Sequence, residues 1–229
     1  MKWVFTCEHG GNKIPTDYQY LFKNKQELLN THRGFDIGAL QVFNAVTHLS
    51  DFYKSETNSR LFIELNRSLH HPNLFSSITK PLSKTEKQQI IAQHYKPYRN
   101  AVYQQIKNYI QQNETVLHIS FHSFTPVLNG NLRNADVGIL YDASRNEEKV
   151  FANAFKKTLK TTNTTLKIRF NYPYLGKADG FTTFLRSKFT TKYMGIELEV
   201  NQHFFDSATQ ANQLISTIQQ ALSSFKNDA

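Results

Sequence analysis

One cysteine, Cys7, among 229 residues leaves no internal disulfide and no cysteine-rich metal site, in keeping with a reducing, cytoplasmic compartment. The thiol follows the apolar opening KWVFT and reads as a small buried residue at a strand end. No run approaches the ~20 apolar residues of a membrane span. Glu8 and His9 interrupt the N-terminal apolar stretch before it reaches the length of a signal peptide's core. A soluble protein without a membrane partner is therefore expected. Acidic residues are the minority, 18 against 27 basic, for a net charge of +9. That excess favours anionic ligands, yet the lysines are scattered over separate pieces such as FKNKQ, KTEKQQ and RSKFTTK. They read as solvated helix surfaces, and no nucleic-acid partner is expected because no nucleic-acid-binding motif accompanies them. Internal repeats and Pro/Gly/Ser-rich linkers are also missing, so residues 1–229 are read as one domain. HExxH, GxSxG and GxxxxGKS/T do not occur, which removes the common zincin, serine-hydrolase and P-loop readings.

What is present alternates. KWVFT (2–6), LFIEL (61–65), TVLHISF (115–121), DVGILYD (136–142), LKIRF (166–170) and YMGIELEV (193–200) read as strands. Helical patterns cover 35–49, with apolar residues at 35, 37, 40, 43, 46 and 49, and 84–112, where Pro97 interrupts. Two more cover 146–160 and 207–225. Strands alternating with helices predict an α/β fold with a mostly parallel sheet covered on both faces.

In such sheets ligands collect beyond the carboxyl ends of the strands, which directs attention to the polar residues there. Glu8, His9 and Asn12 follow the first strand, Asn66 and Arg67 follow LFIEL, and His122 and Ser123 follow VLHISF. Period-2 alternation puts Glu197 and Glu199 on one face of the last strand, opposite Ile196, Leu198 and Val200. Taken singly, a histidine at a strand end is more often a hydrogen-bonding group than a ligand, and Glu197 and Glu199 could be a solvated edge. Together, two imidazoles and a carboxylate with an open fourth position form the usual catalytic zinc set. A second, free carboxylate would then serve as base on a bound water.

Seven segments in this order, CEHGGNKIP, HRGFDIGAL, SRLFIELNRS, SFHSFTP, DVGILYD, NYPYLGKADG and GIELEVNQ, resemble the N-formylglutamate amidohydrolase family from residue 4 to about 204. The family is similar in fold to zinc carboxypeptidases and aspartoacylase-type deacylases. The resemblance thus implies a three-layer αβα sandwich, phosphorylase/hydrolase-like, with a metal at the carboxyl edge of the sheet. Carboxypeptidases take their first two ligands from His-x-x-Glu, but here the fourth residue is the neutral Asn12. The implied second ligand is Asp36 in the HxxxDxGA segment, with Glu8 in reserve, so that His9, Asp36 and His122 would hold one Zn²⁺ or another divalent ion. The family's trailing E-x-N-Q pattern favours Glu199 as general base, and alignment to the carboxypeptidase strand favours Glu197. Arg60 is expected to assist at the oxyanion, and Asn66 and Arg67 to grip a substrate carboxylate. The segment carrying Tyr174 and Lys177 is expected to close over the substrate, Lys177 adding a positive charge. The activity implied is hydrolysis of a small anionic N-acyl amino acid such as N-formylglutamate. A carboxypeptidase-like peptidase and a non-catalytic binding protein on the same fold are the alternatives.

Overall fold

The computed structural model describes residues 1–227. Along the chain the elements are β1 (Lys2–Cys7), α1 (Gln26–Leu29), α2 (Ala39–Val46), β2 (Phe52–Ser55), α3 (Lys84–Ile90), α4 (Lys96–Gln111) and β3 (Val116–Phe124). They continue with β4 (Val127–Leu128), β5 (Asn131–Leu132), β6 (Val137–Leu140), α5 (Asn146–Thr162), β7 (Ile168–Phe170), α6 (Phe181–Lys188), β8 (Tyr193–Asn201) and α7 (Ala208–Asn227). Among the described residues no helix is long and apolar enough to cross a membrane.

Six strands form one sheet in the order β2-β1-β3-β8-β6-β7, and β4 and β5 make a separate hairpin. The pairs from β2 to β8 are parallel, whereas β6 runs antiparallel to β8. The carboxyl ends of β1, β3 and β8 therefore share one edge of the sheet, and β6 ends at the opposite edge, where the amide of Asp142 donates to Glu148.

Alternation along the strands sorts the two faces by chemistry. Trp3, Phe5 and Cys7 of β1, Leu117, Ile119 and Phe121 of β3, and Ile196, Leu198 and Val200 of β8 bury an apolar face against α2, α5 and α7. The other face packs on α3, α4, α6 and the buried run Leu61–Leu65. Its strand residues turn polar toward the carboxyl edge, with Ser120 and His122 on β3 and Glu197 and Glu199 on β8. Helices cover both faces, which completes the three-layer αβα sandwich.

Two expectations about elements change. Leu61–Leu65 is not a strand but a series of turns, fully buried on the second face; a short, continuously apolar run has the same pattern in either state. The edge strand is instead β2, whose polar, partly exposed FYKS carries no apolar signal. The interruption expected at Pro97 is not a gap: α3 starts with a capping box from Ser83 and Glu86, and the helix continues through a π-turn at Ile91–Tyr95 directly into α4, with Pro97 in the first turn after the π-turn. That position tolerates the missing N–H of proline.

Behind the sheet, Glu148 at the start of α5 accepts from Arg186 Nε (2.9 Å), Gly195 N (3.0 Å) and Asp142 N (2.8 Å), and both partners of this ion pair are buried. Arg186→Leu would leave the buried carboxylate with only the longer contact to Arg145 Nε at 3.4 Å, and urea unfolding should register a loss approaching about 3–5 kcal/mol.

Candidate active site

Four carboxylates are buried near the shared carboxyl edge: Glu8, Asp36, Glu64 and Glu199. Each comes from a different stretch of chain. Glu8 and His9 leave β1, Asp36 sits just ahead of α2, Glu64 lies in the buried turns, and Glu199 is on β8. The parallel register sets His122 of β3 directly beside Glu199 of β8.

Asp36 is the hub. Its Oδ2 lies 3.2 Å from His9 Nδ1 and 2.9 Å from His122 Nδ1, while its Oδ1 accepts from Arg60 Nη1 at 3.0 Å. Both imidazoles are held from behind through Nε2. Glu64 Oε1 contacts His9 Nε2. Ser120 Oγ (2.8 Å) and Glu8 Oε2 (3.4 Å) face His122 Nε2. Arg60 completes the cluster by giving Nε (2.9 Å) and Nη2 (2.6 Å) to Glu64 Oε2.

Burial alone would depress the two imidazoles, but the facing carboxylates outweigh it and raise both, His122 well above its ordinary value. Asp36 stands well below the usual range despite its burial, because His9, His122 and Arg60 surround it. Glu8, whose burial works in the opposite direction, is held at about 2 by His122 and Ser120. Glu199 behaves differently. Burial pushes it up to about 8, and its Oε2 is buried without a hydrogen-bond partner.

The donor set suits a divalent cation. Ligand atoms of His9, Asp36 and His122 lie within 4.8 Å of one another. Each imidazole presents Nδ1 to the shared carboxylate and has its other nitrogen backed by an acid, the arrangement that orients metal-binding histidines. The facing carboxylates draw protons onto both imidazoles; a divalent cation in place of those protons would supply that positive charge and leave the imidazoles neutral, the form in which they ligate metals. Glu8 is not in the ligand group: its oxygens are taken by Ser120 Oγ (2.5 Å) and Tyr98 OH (3.0 Å). Asn12 is away from the cluster, donating to Asn30 Oδ1.

These groups open onto a cavity of about 160 Å³ whose walls include Arg60, Asn66, Arg67, Tyr174, Glu197 and Glu199. Asn66 receives the Phe181 amide at 2.6 Å and so ties the Leu65–Ser68 segment to the start of α6. Arg67 donates Nη1 to the Asp179 carbonyl (2.5 Å). Glu197 accepts from Thr182 Oγ1 (2.6 Å). Tyr174 stands at the mouth with Arg133 Nη2 on its hydroxyl at 3.2 Å. Lys177 is exposed and lies outside the cavity wall. Glu64, Ser120, Tyr98 and Asp179 were not singled out in the sequence. Glu64 was within reach of such reasoning, two residues before Asn66, but the strand reading of its segment concealed that it turns toward His9.

A three-layer αβα protein with a candidate metal centre at its carboxyl edge and an arginine, Arg67, in the wall of the adjoining cavity is the class defined by this geometry. Residues 1–205 match the family described as N-formylglutamate amidohydrolase, and the chain belongs to that family of hydrolases. A solved gene product of Agrobacterium tumefaciens is similar over 98% of this chain and 92% of its own, with a TM-score of 0.80 at 23% identity. N-formylglutamate amidohydrolase from Ralstonia eutropha JMP134 is similar over 100% of this chain and 95% of its own, with a TM-score of 0.70 at 15% identity. At these identities the two structures establish the fold. No curated protein sequence matches the chain.

If Glu64 orients His9 as a ligand, Glu64→Gln should weaken zinc binding by about 10–100-fold, read by competition with a chromogenic chelator, while the fold stays intact by circular dichroism.

Proposed function

We propose that this protein hydrolyses the N-acyl amide bond of a small N-acyl amino acid, with N-formylglutamate the first substrate to try. The observation that carries the reading is Glu199: a buried carboxylate with a free Oε2, paired in register with His122 and facing a cavity that also holds Arg67. Family membership supplies the substrate's name.

His9, Asp36 and His122 are the residues that would hold a divalent ion, zinc foremost. Bound there, the ion would acidify a water and polarise the acyl carbonyl. Glu199 takes the proton of the attacking water at Oε2 and returns it to the departing nitrogen. Its burial raises its proton affinity toward neutrality, the range in which one group both accepts and donates efficiently. Glu197, already committed to Thr182, supports this face of the cavity and adds negative charge beside the base. Arg67 binds the substrate carboxylate with the part of its fork left free by the Asp179 carbonyl. Asn66, fastened to α6, keeps that arginine's segment in place. Three of the five N–H groups of Arg60 are on Asp36 and Glu64, so it fixes the ligand carboxylate and the group behind His9, and from the cavity wall its remaining donors assist at the oxyanion.

The zinc-loaded protein should release formate from N-formylglutamate, and Glu199→Gln should lower kcat/KM by about 10²–10⁴-fold while keeping its metal. Absence of release from N-formyl and N-acetyl amino acids by the loaded wild type would reject the reading. Arg67→Ala should raise KM for N-formyl amino acids, with little effect on the corresponding N-formyl amino amides. An equal loss on both would remove Arg67 from carboxylate recognition.

A further inference from the structure

A second pocket, of about 460 Å³, lies behind the Leu65–Ser68 segment, and no side chain lines both it and the hydrolytic cavity. Leu69, Tyr95 and Phe184 supply apolar walls, and Arg99, Lys96 and His70 line it with no acidic residue among them.

Arg99 is the anomaly. It is 4% exposed, yet among the described residues no carboxylate forms an ion pair with it. The nearest candidates are occupied, Glu8 by Tyr98 and Ser120 and Asp179 by the Ser68 amide. One nitrogen, Nη1, reaches the carbonyls of Leu65 (2.8 Å) and Arg67 (3.3 Å). The guanidinium carbon also sits 4.3, 4.7 and 4.9 Å from the ring centroids of Phe181, Phe184 and Tyr95. Those faces relieve part of the cost of burying the charge but leave the in-plane Nε and Nη2 donors without a protein acceptor. A buried cation with unused fork donors is matched best by a carboxylate.

We propose that this pocket binds a small monocarboxylic acid with an apolar body, its carboxylate on Arg99 and Lys96 and its body against Leu69, Tyr95 and Phe184. The half-exposed Leu69, 49% accessible at the lip, is the apolar surface such a ligand would cover. The volume is within the range of small-molecule sites.

Titration calorimetry with 3-phenylpropionate and its neutral amide, on the full chain loaded with zinc, tests the site. The acid should bind at about one equivalent and the amide at least tenfold more weakly. Leu69→Glu and Lys96→Glu, both at exposed positions, should each weaken the acid at least tenfold. Arg67→Ala should leave its binding unchanged. Absence of saturable binding, equal affinity for acid and amide, or full affinity in both lip variants would overturn the proposal. Loss of binding in Arg67→Ala would also overturn it, by locating the acid in the hydrolytic cleft.

Discussion

Excess negative charge buried at one edge of the sheet is the constraint around which this protein is arranged. Asp36 alone is approached by His9, His122 and Arg60, and its Oδ2 lies 3.4 Å from the Ser123 amide. These partners come from the exit of β1, the end of β3 and the turns after β2. A carboxylate taken out of water is tolerated when it is paired and hydrogen-bonded, so the cluster ties together segments far apart in the chain. The same balance creates the candidate function, since the place where two imidazoles converge on Asp36 calls for positive charge, which protons on the imidazoles or a bound divalent cation can supply.

The two faces of the sheet divide the labour of stability and chemistry. On one face β1, β3 and β8 present an apolar surface to α2, α5 and α7, and every residue there can be explained by packing. On the other, Val4, Val116 and Tyr193 still pack in a core, but the alternate residues of those strands also include Thr6, His118, Ser120, His122, Glu197 and Glu199. Deep in that face His118 is enclosed by Thr6 Oγ1 (2.8 Å) and Tyr193 OH (2.7 Å), and burial lowers it to about 4, which keeps it neutral. Polar groups nearer the carboxyl edge face the cavity instead. Depth along the strand thus separates a satisfied core histidine from a candidate ligand.

The turns from Leu61 to Ser68 link the parts. They present Glu64 to His9, carry Asn66 and Arg67 to the cavity, and are gripped from behind by Arg99 on two carbonyls and by Tyr95 on the Arg67 carbonyl (2.7 Å). A regular strand could not do this, because its side chains would alternate between faces. Irregular backbone lets Glu64, Asn66 and Arg67 all serve one cleft while Leu61, Phe62, Ile63 and Leu65 remain in the core.

Much was legible in advance for local reasons. Apolar and β-branched runs located β1, β3, β6, β7 and β8, most of which are buried on both faces, and the 3.6-residue pattern located α2, α4, α5 and α7, each of which buries one stripe. The strand-end rule drew attention to His9, His122, Glu197 and Glu199, and the family resemblance to Asp36. Beyond that reach lay the fully buried 61–65 run, the polar edge strand β2 and the short α6, whose local patterns are ambiguous or weak. Partner choice was equally hidden: that Glu64 backs His9, that Glu8 backs His122 without joining the ligand group, that Arg60 clamps two carboxylates, and that Lys177 lies outside the cavity. The amino-acid sequence by itself determined which residues could do chemistry and on which face of each strand they stand, since those follow from residue type and backbone period. Only the tertiary structure decided which carboxylate meets which imidazole and which is left free, because those pairings join segments tens of residues apart and depend on how the sheet register and the irregular turns bring them into contact.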